Sequence, residues 1–593
     1  MRSGLAAYLL VALVIVSSAL ISFATTPLAA AIARRVGLIV APRADRWHAR
    51  PTPLLGGAAI ALAALVVLPA ASAHAPALSA LVIAGGAAFA LGLLDDFRGL
   101  APTTKLAGQV LIASGLAFGG IQVEIVPFAP AAFFITVIWV VALMNAFNLL
   151  DNMDGLAAGV AVISGIALAI TALPERPDIA VAGGAVAGAA LGFLPHNSSP
   201  ARQFMGDAGS LFLGCMLAAV ALLHTASAAT NLGLAVIGPL AVLALPIFDT
   251  ALVTTLRRLA GRSIAQGGRD HVSHRLAALG LSDRSAVFIL YMLAAILALV
   301  GIVADAIVSL VAPLFILVAI SFVIFGVFLA EIDVYGRAAT HAGPDEEMSP
   351  VWRGLGVYGR FGAEIAMDVA LLITAYYLAY IVRFEGAPES VWLYLFVPSL
   401  PIVIGIQLAT LVVMGVYRTL WRYFSVSDVA AMVRAVVVGT AGAALAVLVA
   451  YRFEGYSRAA FLLDALIAAT LLIGSRSLLV WLRHWASGRP RVGERRVLIV
   501  GANDAGVLAL RLLSRAPEAA HRAVGFIDDD PGKRYRKVGG VPIVGTTPEI
   551  DAVVRRMRVD LVVIAADDAA QRETLRTVCE RIGVEHRELT VTV

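Results

Sequence analysis

Four polar clusters interrupt an otherwise apolar chain, and each carries residue types that handle phosphate or a divalent cation. They are Asp95-Asp96 with Lys105 close behind; Asn148, Asp151 and Asp154; Gly206-Asp207-Ala-Gly209-Ser210; and Asp270-His271-Val-Ser-His274-Arg275. Adjacent carboxylates repel, so Asp95-Asp96 needs a cation or a shared proton. A hard cation such as Mg²⁺ takes one or two carboxylates together with phosphate oxygens. Asn148, Asp151 and Asp154 follow one another at i, i+3 and i+6, along one side of a helical turn or its cap. Asp207 stands between glycines at a helix start, where backbone can approach an anion or its metal partner. His271, His274 and Arg275 supply donors for phosphate, the arginine through a bidentate fork. Taken singly, each cluster has a plainer reading: a solvated helix end, an N-cap, surface histidines. Taken together, acids for Mg²⁺ and cations for phosphate are the equipment of phosphoryl transfer, in which positioning and electrostatics do most of the work.

The elements that must bring these clusters together are membrane helices. Of the 593 residues 60% are hydrophobic and 14% charged, and mean hydropathy is +0.88. Continuous Ala/Leu/Val/Ile runs of roughly 18 or more residues mark helical spans rather than the short alternating segments of a barrel. About eleven spans are expected in residues 1–330, the ninth near 231–255, and four more in 360–483. A polar linker at 331–359 separates the two sets, and a cytoplasmic α/β Rossmann-like domain is expected from 484 to 593. The first run, about residues 5–30, reads as a retained span, being too long for a signal-peptide core. Arg34, Arg35, Arg43, Arg46 and Arg50 follow the first span, and Arg257, Arg258, Arg262, Arg269, Arg275 and Arg284 follow the ninth. Positive-inside orientation therefore places the N-terminus outside and all four clusters, with the C-terminal domain, on the cytoplasmic side of the plasma membrane. The same loop arginines account for the net charge of +5 without any nucleic-acid partner. Cys215 and Cys579 lie far apart, which argues against a disulfide framework or a cysteine metal site.

Residues 1–330 resemble the polyprenyl-phosphate N-acetylhexosamine-1-phosphate transferases, and more narrowly the bacterial UDP-GlcNAc:undecaprenyl-phosphate GlcNAc-1-phosphate transferases. The resemblance rests on Pro51-Thr-Pro-Leu-Leu-Gly56-Gly57, Leu-Asp95-Asp96 with Lys105-Leu, Asn148-Leu-Leu-Asp151-Asn-Met-Asp154-Gly-Leu, Phe204-Met-Gly-Asp207-Ala-Gly-Ser and His271-Val-Ser-His274-Arg-Leu. It implies an integral membrane enzyme that uses Mg²⁺, with Mn²⁺ as an alternative. Its substrates would be a UDP-N-acetylhexosamine and undecaprenyl phosphate, the latter drawn from the bilayer. It also implies Asp207 as the metal ligand and Asp95 and Asp96 at the lipid-phosphate site. Asp154 and Phe204 would meet the uracil ring, and Asn148 and Asn197 would lie near the nucleotide and sugar phosphates. Ser273 departs from the pattern, since related sequences often carry a third histidine there. Two rivals stand beside the transferase: a nucleotide-sugar-sensing scaffold with an inactive transferase half, and a transporter.

In the last segment, Arg496-Val-Leu-Ile-Val-Gly501-Ala-Asn503-Asp-Ala-Gly506 reads as strand, tight turn and helix, and Val524-Gly-Phe-Ile-Asp528 as a second strand ending in an acid. Gly501, Gly506 and Asp528 are thus candidates for binding NAD or a UDP-nucleotide, although Asn503 replaces the middle glycine. The four spans and this domain resemble the N-terminal region of membrane-anchored nucleotide-sugar dehydratases, through Val-Gly525-Phe-Ile-Asp-Asp-Asp-Pro531-Gly-Lys. The Tyr-x-x-x-Lys pair of those enzymes has no counterpart, because Gly539 follows Tyr535 by four, and no dehydratase activity is expected. Ligand sensing, substrate channelling, assembly or a purely structural Rossmann-like cap are the readings for this half, and a homodimer fits a fused cytoplasmic domain.

Overall fold

The computed structural model describes the chain except residues 1, 41–50, 72–75, 125, 228–231, 264–267, 269, 307–310, 331, 333–349, 385–391, 419–425, 488–494, 516–520, 534–535, 566–568 and 590–593. Arg43, Arg46, Arg50, Arg269, Tyr535 and most of the expected 331–359 linker lie outside the described residues. Two compact units emerge, Met1–Leu482 and Arg483–Val593.

The first unit is helical apart from one short antiparallel pair, β1 (Ile39–Val40) with β2 (Thr52–Pro53). Its helices in the N-terminal half are α1 (Arg2–Arg35), α2 (Gly56–Ala71), α3 (Pro76–Arg98), α4 (Pro102–Phe118), α5 (Ala129–Leu150), α6 (Leu156–Ala172), α7 (Pro177–Asn197), α8 (Gly206–Ser227), α9 (Leu232–Val242), α10 (Ala244–Leu259), α11 (Val272–Ala278), α12 (Asp283–Ala306) and α13 (Val311–Ala330). Then come α14 (Pro350–Arg383), α15 (Val397–Val413), α16 (Val426–Tyr451) and α17 (Arg458–Ser487). Among the described residues ten helices are long and apolar enough to cross a membrane, and shorter apolar helices such as Gly56–Ala70 and Leu156–Ala172 accompany them. The chain is a multi-pass membrane protein.

Within the described residues the expected spans are helical, with one difference. The ninth is two helices, α9 and α10, broken at Leu243. Pro246 has no N–H for the carbonyl of Val242 four residues back, so a continuous helix would leave that carbonyl bare in hydrocarbon. Ser164 of α6 donates its hydroxyl to it at 3.1 Å. α8 is the most enclosed span, and α5, α6, α7 and α3 pack around it. That central helix carries Asp207 in its first turn.

The second unit is an α/β domain. Its strands β3 (Arg495–Val500), β4 (His521–Ile527), β5 (Lys537–Val538), β6 (Val541–Gly545), β7 (Leu561–Ile564) and β8 (Glu585–Glu588) form one sheet in the order β5-β6-β4-β3-β7-β8. All pairs are parallel except β5 with β6. Strand β3 is buried through Val497, Leu498, Ile499 and Val500, as a strand covered on both faces must be. Helices α18 (Asp504–Arg515), α19 (Ile550–Met557) and α20 (Ala569–Ile582) complete the doubly wound layout expected of a Rossmann-like domain.

Candidate active site

Helices α3 and α5 end, and α4 and α8 begin, at one end of the N-terminal bundle, and their polar termini meet there. The centre is Lys105. Its ammonium lies 2.9 Å from Asp95 Oδ2, donates to Asn148 Oδ1 at 3.2 Å and forms a close ion pair with Asp207 Oδ2. Asn148 reaches the same acid from α5, donating to Asp207 Oδ1 at 2.8 Å and to Ser210 Oγ at 3.0 Å. One turn deeper, Asn145 and Gln109 exchange amide hydrogen bonds between α5 and α4. Three clusters separated by a hundred residues of chain therefore share one charge network.

Asp96 has a different task from Asp95. Its carboxylate accepts the backbone N–H groups of Asp207 at 2.8 Å and Ala208 at 3.0 Å. It is the cap of α8, supplied by another helix, and an anion at a helix N-terminus is favoured by the dipole as well. Gly206 lets this happen: its φ is +73°, and a Cβ there would fall 2.6 Å from the Asp96 carboxylate. Of the two acids expected at the lipid phosphate, Asp96 is placed against the α8 backbone. Asp95 remains beside Lys105, while Asp96 is engaged with backbone.

The loop after α5 is pinned to the loop before α8. Asn197 accepts the Gly155 N–H and donates to the Gln203 carbonyl, both at 3.0 Å, and is only 1% exposed. Its amide thus joins two loops. Asp154 accepts the Ala201 N–H at 2.9 Å, and the Tyr291 hydroxyl donates to the Gly155 carbonyl at 2.6 Å. Phe204 is held through its backbone by Pro53 and Gly56, and Gly57 bonds the Met205 carbonyl. The Pro51–Gly57 motif thereby fixes the approach to Asp207. Burial, and then the charges of Asp207, Asp96 and Asp154, push the Asp151 carboxyl well up from its ordinary range.

That excess of negative charge decides whether a divalent cation fits. Asp95 and Asp207 share the single ammonium of Lys105, and the buried Asp151 carboxyl stands in the field of Asp207, Asp96 and Asp154. Among the described residues no group of three or more acid, histidine or cysteine side chains forms a ready ligand cage. Mg²⁺ needs no such cage, because substrate phosphates and water complete its shell. The residues fit.

The histidine segment is more buried than its sequence suggests. His271, His274 and Arg275 are 4%, 4% and 7% exposed. Arg275 donates to the carbonyls of Asp270, Leu329 and Ile332 at 2.8, 2.8 and 3.0 Å. It closes the C-terminal end of α13. Ser273, the departing residue, donates to Asn152 Oδ1 at 2.6 Å and so ties the segment to the acidic loop. Asp270 takes both prongs of Arg257 at 2.7 Å. Burial works to raise its carboxyl, but the Arg257 guanidinium outweighs burial and holds it below the usual carboxylate range.

In the α/β unit the expected nucleotide residues are occupied by the fold itself. Asn503 caps α18, accepting the Gly506 N–H at 2.9 Å, and donates to the Ala565 carbonyl at 3.0 Å. Asp528 accepts from Ala502 N–H at 2.8 Å and from Lys533 at 2.9 Å. Burial opposes these contacts, yet the Asp530 N–H, the Lys533 ammonium and the Ala502 N–H keep the Asp528 carboxyl below its ordinary range. A Cβ on Gly506 would lie 1.9 Å from the Gly501 carbonyl, so this glycine serves helix-on-turn packing. The Ala502 and Gly506 N–H groups and the Asp528 carboxylate thus have partners within the turn. Gly501, Gly506 and Asp528 come together in the turn between the first strand, α18 and the second strand, where the sequence places a nucleotide.

Fold and site together define a polytopic membrane enzyme whose acids and lysine meet at one end of a helix bundle. A model of glycosyl transferase family 4 matches residues 78–225, and a CoA-binding domain model matches 413–581, taking in α16, α17 and most of the α/β unit. A decaprenyl-phosphate N-acetylglucosaminephosphotransferase of Mycolicibacterium smegmatis is 34% identical over 328 residues, spanning 48% of this chain and 80% of the relative. One from Mycobacterium leprae is 33% identical over 326 residues, with 48% and 82% covered. A phospho-N-acetylmuramoyl-pentapeptide-transferase of Trichormus variabilis is 35% identical over 239 residues, with 35% and 63% covered. Through its N-terminal half the chain belongs to the polyprenyl-phosphate N-acetylglucosamine phosphotransferase family.

Sequence reasoning missed Asp249, Arg257, Gln109 and Tyr291. Asp249 alone carried a signal, as a carboxylate inside an apolar helix.

Proposed function

We propose that residues 1–330 transfer N-acetylglucosamine 1-phosphate from UDP-GlcNAc to undecaprenyl phosphate, the opening step of membrane-linked glycan assembly, on the cytoplasmic face. An oxygen of the lipid phosphate attacks the β-phosphorus of the UDP-sugar. The bond from that phosphorus to the bridging oxygen breaks, and UMP leaves with the electron pair. The observation that carries this reading is the Lys105 bridge between Asp95 and Asp207. It gathers acid and cation at the bundle end, where a lipid headgroup and a soluble nucleotide can both arrive.

Lys105 sets the charge balance, and Asn148 orients the Asp207 carboxylate. Asp95, held also by the Leu100 N–H at 2.7 Å, is positioned to orient the lipid phosphate. Asp207, with Asp151 close by in the same field, would hold Mg²⁺. When bound, the ion supplies neutralisation of the diphosphate as charge moves onto UMP. The four-helix set at 360–483 and the α/β domain at 484–593 serve regulation or assembly in this reading.

The test is UMP release by the purified chain given UDP-GlcNAc, undecaprenyl phosphate and Mg²⁺. Activity is expected to vanish with a chelator, to return with Mg²⁺ and in part with Mn²⁺, and to be lost in Asp207→Asn. No UMP from UDP-GlcNAc or a related UDP-sugar sinks the reading.

A further inference from the structure

Asp249 lies inside α10, two turns before the basic end of that helix at Arg257 and Arg258. It is 2% exposed. A carboxylate among apolar helices is costly unless its oxygens are paired, and both are. Oδ2 lies 2.8 Å from His271 Nδ1, and Oδ1 accepts the Val272 N–H at 2.8 Å. An ionised carboxylate only accepts, so Nδ1 carries the proton and Nε2 is the edge left for another group. The backbone bond at Val272 settles which way the acid can turn, because it occupies the second oxygen.

The surroundings hold the same three residues in place. Arg257, from the end of α10, grips Asp270 immediately before His271. Ser273, immediately after Val272, bonds Asn152 beside Asp151. One helix thus grips the segment at two points, Asp249 and Arg257, and the acidic loop grips it at a third. His271 sits between these anchors with its ring fixed by Asp249.

We propose that Asp249 is a positioning residue for the transfer reaction. It fixes the tautomer and ring orientation of His271, so that Nε2 is presented to the phosphate oxygens of the UDP-sugar. Asp249 does not itself touch substrate. The inference rests on the transferase reading above and adds a residue to it.

Asp249→Asn isolates the effect. Its amide oxygen keeps the Val272 N–H, and its NH₂ then faces His271 Nδ1 and forces the proton onto Nε2, as with other histidines that lose an orienting carboxylate. In the full-length protein, kcat for UMP release is expected to fall on the order of 10- to 100-fold, with KM for UDP-GlcNAc and the thermal midpoint little changed. His271→Gln is expected to fall comparably, and the double variant no further, because the two residues act as one unit. Wild-type kcat in Asp249→Asn, a rise in KM alone, or losses that multiply in the double variant would overturn the proposal. Asp249→Glu serves if the asparagine chain does not fold: kcat should drop with KM unchanged, and unchanged kcat or a rise in KM alone counts against the proposal. If the wild type releases no UMP, the transferase reading fails. The contact is then judged on the thermal midpoints of Asp249→Ala, His271→Ala and their double, whose losses should be non-additive and would refute it if additive.

Discussion

The Asp96 carboxylate on α3 accepts the Asp207 N–H at 2.8 Å, so one acid of the site caps the helix that presents another. The neighbouring pair Asp95-Asp96 is therefore divided between chemistry and architecture. Its two members should separate on mutation. Asp96→Ala removes the cap and is expected to destabilise the chain by about 1–2 kcal/mol. Asp96→Asn keeps an acceptor for α8 and should retain more UMP release than Asp95→Asn, which frees Lys105 from one of its acids. Equal losses in the two asparagine variants, at equal thermal midpoints, would contradict the division.

Asp270 gives the histidine segment an acid limit. Its folded carboxyl lies below the ordinary range because Arg257 grips it. A depressed carboxyl contributes stability that is fully present above the unfolded value, about 3.9, and is lost as pH falls through the lower folded value. The gap in thermal midpoint between wild type and Asp270→Asn is therefore expected to stay constant from pH 7 to about pH 5 and to narrow below about pH 4. A gap that widens on acidification would show that the carboxyl is not depressed.

How far the sequence disclosed this site follows from where each signal lay. Asp207, Lys105 and Asn148 stand at the ends of apolar runs, where a polar residue is conspicuous, and they do come together. Asp249 went unnoticed because its partner His271 lies 22 residues away, beyond the end of the helix. The backbone contacts of Asp96 and Asn197 are hidden in the sequence for another reason: an acid that caps a distant helix has the same local sequence as one that meets a phosphate. Asp528 shows the same ambiguity, since an acid after the second strand suits a ribose or a turn, and its contact with Lys533 five residues on is visible only in the fold. The break at Leu243 was half visible in Pro246, whereas Ser164, which makes it tolerable, is two helices away.

The turn in the α/β domain should respond to loss of its cap and ignore dinucleotide. Asn503→Ala is expected to cost about 1 kcal/mol, the usual worth of an asparagine N-cap, visible as an earlier urea transition of this unit. NAD should leave the thermal midpoint of the full chain unmoved, because the Ala502 and Gly506 N–H groups already have partners. A stabilisation by NAD that disappears in Asp528→Asn would restore the cofactor assignment.

The four-helix set holds a buried ion pair whose removal distinguishes pairing from mere burial. Arg476 is 2% exposed and Asp368 fully buried, joined at 2.8 and 3.0 Å, and the Tyr417 hydroxyl donates to the same acid at 2.8 Å. Removing one partner leaves the other charge bare, which costs about 3–5 kcal/mol, whereas replacing both with apolar residues of similar size is often neutral. Asp368→Leu is thus expected to lower the thermal midpoint of the detergent-solubilised chain sharply, and adding Arg476→Met should recover most of that loss. Tyr417 sets the remainder, since its hydroxyl would lose its acceptor in both variants, and Tyr417→Phe added to the double should bring the midpoint closer to wild type. If Arg476→Met brings no recovery, the pair is doing more than balancing its own charge, and a role in assembly with the transferase half becomes the reading to pursue.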